Sequence, residues 1–345
     1  LARADFLERT RRHAFLITVV FMVYAAYVFL PGQHAAYTTL QMAGHRGVYN
    51  SAYVGTLVAM MSTIFLTFAG FYVVKNTVDR DVTTGVGEIL ATTPITKVGY
   101  TVGKTLSNAA VLAAMIAVVA IAALGMQWVR AEDRHLDLLA LATPFVVLTL
   151  PVMMVVAALA VLFETVPALR GGLGNVAFFV LWILGVSTSA VSSSSTRPGG
   201  LDLLGAGYVF PGIIAACNAA FHDFRPHTGA FSMGLNFKSS GAWDLTTFRW
   251  EGVRWTAGMI AARGVWVALA AAIATTAAIP FDRFDRARGA VVGRRRGAAK
   301  RPAANDPETA MDAGSDTTPV AATAPVAHPT LAAPAPRSFS FATML

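Results

Sequence analysis

The chain has 345 residues, 55% of them hydrophobic and 13% charged, with a net charge of +8. Soluble domains carry about 25% charged residues, so several segments must sit in lipid, and the basic excess is read as the Lys and Arg that collect in the inner loops and tails of membrane proteins rather than as a nucleic-acid surface. Cys217 is the single cysteine, which excludes an intrachain disulfide and leaves a cysteine-based metal or redox centre unsupported.

Taken in order, residues 1–13 read as an interfacial amphipathic helix, with Phe6 and Leu7 set against Arg3, Arg9, Arg11 and Arg12. They are not a signal peptide, because the apolar run behind them is long enough to span and no small-residue cleavage site follows before Pro31. Six spans are expected at about 14–30, 51–74, 105–129, 139–163, 175–191 and 255–279. Pro144 and Pro151 fall inside the fourth, which should kink, with neighbours satisfying the freed carbonyls. Residues 192–254 read as an external loop region. Its Pro211–Phe221 piece is too short to cross a bilayer core of about 30 Å and is expected as a helix in a small external subdomain or lying at the surface. From 281 the chain turns basic, then Ala/Pro-rich without hydrophobic periodicity, and reads as a disordered cytosolic tail. The start at Leu1 and the apolar return at Phe339–Leu345 lead us to expect a piece of a longer protein.

Charge sets the orientation. With six spans and the N-terminus inside, the inner segments hold eighteen Lys and Arg, eight of them between Arg283 and Arg301, against eight in the outer loops. Among short loops, 75–104 carries four and 31–50 carries one. Both termini are therefore expected in the cytosol, across the cytoplasmic (inner) membrane.

No catalytic constellation is evident. Gly99–Thr105 imitates a phosphate-binding loop, but it is one residue short and opens an apolar span instead of following a strand. Lys104 is read as snorkelling to the head groups. His222, Asp223 and His227 lack a third metal ligand fixed by spacing, and Ser192–Ser195 lacks a partnering base. Ionisable groups at membrane depth are functional suspects. Arg263, about two turns into the last span, is read as a snorkelling or structural residue or as a polar contact lining a passage. Glu164 is read as a local pair with Arg170 or an inner-gate contact.

The most informative stretch is Lys75–Lys104, the longest polar interruption in the first half. Asp79 and Asp81 precede a short segment, Thr84–Ala91, where acids suit a helix N-terminus. Thr83 and Thr84 are expected as its caps, and Thr93-Pro94 as its stop. At Arg80, Asp81, Gly87, Glu88, Ile89, Leu90, Thr93, Pro94, Ile95, Gly103 and Lys104 the sequence resembles the membrane subunits of ABC transporters, in the bacterial type-2 exporter class. Arg46–Gly55, Phe71–Asp81, Phe163–Asn175 and Phe281–Asp285 add to the likeness, which covers about residues 3–288. The resemblance implies an all-α, six-span permease that is not itself an enzyme. Its short helix would couple to a separate cytosolic ABC ATPase that holds ATP and Mg, and a second permease copy or paralogue would complete the transporter. Apolar spans poor in charge fit lipid-like or amphipathic cargo, or a mechanical role without cargo. A membrane enzyme acting at 192–254 and a non-transporting scaffold are the alternatives.

Overall fold

The computed structural model describes residues 13–32, 35–130, 132–193, 202–221, 231–238 and 243–281. The expected helix at 1–13 and the tail beyond 281 lie essentially outside them, as do His222, Asp223 and His227. In chain order the elements are α1 (His13–Phe29), β1 (Tyr37–Met42), β2 (His45–Gly47), α2 (Ser51–Val74), α3 (Thr77–Thr83), α4 (Val86–Thr92), α5 (Lys97–Arg130), α6 (Leu138–Pro144), α7 (Leu150–Thr165), α8 (Gly172–Ser193), α9 (Ala206–Ala220), β3 (Phe231–Phe237), β4 (Thr246–Phe248) and α10 (Ala257–Thr276). Among the described residues, five helical runs are long and apolar enough to cross a membrane: Ser51–Thr83, Lys97–Arg130, Leu138–Thr165, Gly172–Ser192 and Ala257–Thr276. The chain is a mostly helical, multi-pass membrane protein. The first expected span is a shorter apolar helix, α1.

α2 is the axis of the bundle. Asn50 caps it, accepting from the Tyr53 amide and donating to the Trp250 carbonyl, and most of its residues are buried. Gly55 allows α6 to approach. A Cβ there would lie 2.4 Å from the Leu141 carbonyl oxygen, so backbone rather than a movable side chain blocks any larger residue. At the other end of α2, Phe71 stacks on Phe178 of α8 at 3.6 Å.

The fold is not purely α-helical, which corrects the expectation. The loop 31–50 and the segment after α9 pair into one four-stranded sheet of order β3-β1-β2-β4. β1 and β2 form a hairpin whose two-residue turn, Ala43-Gly44, has both φ angles positive, as the right-handed twist of hairpin strands favours. β3 joins β1 antiparallel, and β4 joins β2 parallel. The sheet is tied to the bundle by Glu132, which grips the Arg46 guanidinium with both oxygens and accepts the Tyr49 amide. Burial works against the Arg46 charge, yet the Glu132 carboxylate outweighs it and holds the pKa above the ordinary value. Burial also pushes the Tyr49 phenol up from 10.0 to about 12. A raised folded-state pKa means that this contribution to stability is complete below pH 10 and is lost as the pH climbs through 12. A difference titration of native protein against Tyr49→Phe should therefore show tyrosinate absorbance appearing near pH 12. Ionisation near pH 10 would mean that the sheet does not bury this ring.

α9 is the second correction. It is neither part of a free external subdomain nor a surface helix. Val209, Phe210, Ile213 and Cys217 are buried in the main core, and its N-terminus lies against Leu148, well inside the bundle. The chain thus dips in through 202–205 and returns outward along α9 to Phe221, which stacks on His45 at the sheet. Asp202 makes the dip feasible by accepting the amides of Gly205 and Gly207 at 2.9 and 2.7 Å.

Pro144 and Pro151 produce a π-helical turn, Phe145–Thr149, between α6 and α7. Pro151 has no N–H to offer the Val147 carbonyl four residues earlier. Arg263 of α10 supplies the donors instead. Its Nε reaches the Val147 carbonyl at 3.3 Å and Nη2 the Leu148 carbonyl at 2.8 Å, while Nη1 and Nη2 reach the carbonyls of Asp202 and Leu203. Arg263 is therefore not snorkelling: it is fully buried and fastens the bend to the re-entrant segment.

Candidate functional site at the Lys75–Lys104 elbow

At the end of the bundle opposite the sheet, α2 stops at Lys75, and Asn76 turns the chain through a left-handed conformation (φ 69°) that Asn tolerates better than most residues. α3 follows, and its start is held from outside. The Glu164 carboxylate, at the end of α7, accepts the amides of Val78 and Asp79, so an anion sits where the helix dipole favours one. The Thr77 hydroxyl lies 2.8 Å from the Val74 carbonyl and 3.2 Å from Asn108 Oδ1 on α5. Lys75 Nζ donates to Asn175 of α8 at 2.6 Å.

The centre of the elbow is a buried ion pair. Asp81 Oδ2 lies 2.8 Å from Lys104 Nζ and accepts the Tyr100 hydroxyl at 2.8 Å. Lys104 has no solvent exposure, so the snorkelling expectation is overturned: it points into the protein, and Gly99–Thr105 is the first two turns of α5 rather than a loop. Thr96 caps that helix, accepting the Gly99 amide at 3.0 Å. Tyr100 stacks flat on Phe281 at 4.8 Å. Val78, Val161 and Ala277 close a small core around them, with Leu90 and Ile95 packed on its edge.

α4 is a separate helix, joined to α3 by a tight bend. Gly85 takes φ 74° in open space, so it is the backbone angle and not crowding that calls for glycine. Thr83 and Thr84 do not cap α4. Their hydroxyls bond back to the Arg80 carbonyl and finish α3. Thr93 closes α4 through its bond to the Leu90 carbonyl at 2.7 Å, before the exposed Pro94. Gly87 is buried and Leu90 half-buried, whereas Glu88 is exposed. Ile89 is 67% exposed, Val82 54% and Val86 41%, forming an apolar face turned away from the bundle.

The expected site residues thus separate. Asp81 and Glu164 are internal anchors; Glu88 and Ile89 face outward, while Arg80 lies part-buried on α3. Arg170 bonds the main-chain carbonyl of Glu164 at 2.6 Å rather than its carboxylate. Arg263 is remote, at the π-helical turn. Asn108, Tyr100 and Lys104 were not grouped in the sequence reading, although they recur every four residues and so mark one polar face on an apolar helix. Among the described residues no three His, Cys, Asp or Glu side chains converge as metal ligands would. Comparison of the chain with protein-family models, with curated proteins and with solved structures finds no match.

Proposed function

We propose that this chain is the membrane-spanning permease subunit of an ATP-driven exporter of the ABC type. In this reading α1 is the first of six spans, both termini lie in the cytosol, and the membrane is the cytoplasmic one. α4 seats in a groove of a separate ATPase subunit, which holds ATP and Mg, and a second permease completes the transporter. This chain carries out no catalysis of its own.

One observation carries the reading. α4 offers Val86, Glu88 and Ile89 outward, while α3 behind it is fixed to α5 and α7 by a buried ion pair and a carboxylate cap. An exposed apolar face on a rigidly backed short helix can receive force and pass it to the bundle. A loose loop with the same side chains could not.

The test is co-purification with a co-expressed ABC ATPase subunit from the same organism. Ile89→Asp should weaken the complex about 30-fold, the loss of a central apolar anchor worth roughly 2 kcal/mol. ATPase stimulation should fall with it. An ATPase that binds Ile89→Asp/Glu88→Lys as tightly as the native chain sinks the proposal.

A further inference from the structure

We propose that two adjoining hollows at the sheet end form a binding site for one membrane phospholipid. The inference needs only a chain that sits in a bilayer and is independent of the exporter reading.

The first hollow, of about 370 Å³, lies where α1 meets α5 and β3, and is walled by Tyr24, Tyr27, Val28, Arg130, Leu235 and Phe237. The second, of about 390 Å³, lies over the Arg46–Glu132 pair and is walled by Tyr49, Trp243 and Asp244 among others. Gly32, Ala35 and Tyr37 line both, so they adjoin. Apart from Arg130 the first is walled by aromatic, aliphatic and small residues, while the second adds the polar groups of Thr38, Arg46, Glu132, Asp244 and Thr247. That is the order in which a phospholipid presents its glycerol-and-chain portion and its headgroup.

The depth agrees. α1 exposes Ile17, Val20, Phe21 and Tyr24, an apolar face suited to acyl chains. The first hollow sits at the end of that face, where Tyr residues gather at a membrane interface. Arg130 marks the level of the phosphate. Its guanidinium lies 3.7 Å from the centre of the Tyr27 ring, and Nη1 donates to the carbonyls of Tyr27 and Leu30 at 3.1 and 2.5 Å. These contacts hold the planar cation in place with Nε and Nη2 toward no described partner, and a guanidinium edge of that kind suits a phosphate well. Arg46, by contrast, is neutralised by Glu132, so among the described lining residues Arg130 is the cation that the paired hollows offer to an anion.

The occupant is therefore defined by two features together: a phosphate for Arg130 and a glycerol-chain region for Tyr24, Val28, Leu235 and Phe237. Native mass spectrometry of the delipidated, detergent-purified chain can separate them. We expect retention of one added phospholipid, but not of a diacylglycerol with the same chains, nor of inorganic phosphate. Arg130→Gln should lower the bound fraction roughly tenfold, the worth of one charge-assisted contact. Because Arg130 also fastens α1 to α5, Phe237→Ser serves as a second variant. That side chain is 72% exposed and its only ring contact among the described residues is with Tyr37, so its replacement should lower retention about threefold with only a small drop in thermal stability. Equal retention of diacylglycerol, or of phosphate alone, overturns the proposal. So does undiminished phospholipid binding in Phe237→Ser and in a folded Arg130→Gln.

Discussion

Lys104→Met should destabilise the detergent-solubilised protein by about 3–5 kcal/mol, because it leaves Asp81 as a buried carboxylate without its cation. The methylene stem of Lys104 is matched by methionine, so packing changes little and the loss is electrostatic. Tyr100 would still donate to Asp81, which is why the effect stops short of unfolding the whole bundle. Adding Asp81→Asn removes the orphaned charge and should recover most of the loss, since replacing both partners of a buried pair is often close to neutral. The readouts are thermal unfolding and the rate of tryptic cleavage after Arg80, which should rise in the single variant and return in the double. A single variant as stable and as protease-resistant as the native protein would mean that the elbow does not depend on the pair.

Arg263→Met should cost a similar amount, about 3–5 kcal/mol, for a different reason. Four main-chain carbonyls lose their donor, and buried polar groups left unsatisfied cost about 1–3 kcal/mol each where water cannot replace the bond. The Asp202 carboxylate, which supplies the opposite charge to this arginine, is left without it. The rescue is specific. Pro151→Ala placed in the Arg263→Met background restores an N–H for the Val147 carbonyl and should return about 1 kcal/mol. In the native background the same change should do little, because Arg263 already serves that carbonyl. If Pro151→Ala fails to help the Arg263→Met protein, the account of a donor standing in for proline is wrong. Arg263→Lys should rescue only partly, since an ammonium cannot reproduce the planar fork.

The sequence allowed the long helices to be located because continuous apolar runs of this length have few soluble explanations. Ser51–Val74 was placed to the residue, and the remaining runs came within a few residues except at the start of α5. That helix begins eight residues before its apolar stretch because Thr96 caps it and Tyr100 and Lys104 face inward, so hydropathy understates its length. The sheet was missed for the opposite reason. Phe231, Met233, Leu235 and Phe237 alternate as a strand should. Their partners, however, are some two hundred residues away, and β2 and β4 have three residues each, too few to show a period. Of the elbow's two helices only the second is legible, because Asp79 and Asp81 read as acids ahead of a helix and Thr83 and Thr84 as its caps, while it is the left-handed φ of Gly85 that ends one helix and starts the next. Which way a charged side chain points is the least legible feature. Lys104 and Arg263 both sit at positions that a lone helix would turn to the head groups, and only the carboxylate and carbonyls brought in by other segments draw them inside.

The thirty-four residues of α5 run about 51 Å, well beyond the roughly 30 Å of a bilayer's hydrocarbon core. No proline interrupts them. One end carries Tyr100 and Lys104, the residues that grip the elbow. The other carries Gln127, which donates to Ser51 at the head of α2, and Arg130, which holds the end of α1. The helix is thus a lever with a load at each tip. A tilt of about 5° would sweep its far end through roughly 4 Å. In the proposed reading, a displacement at the elbow would be carried to the far tip of α5 with no break inside that helix.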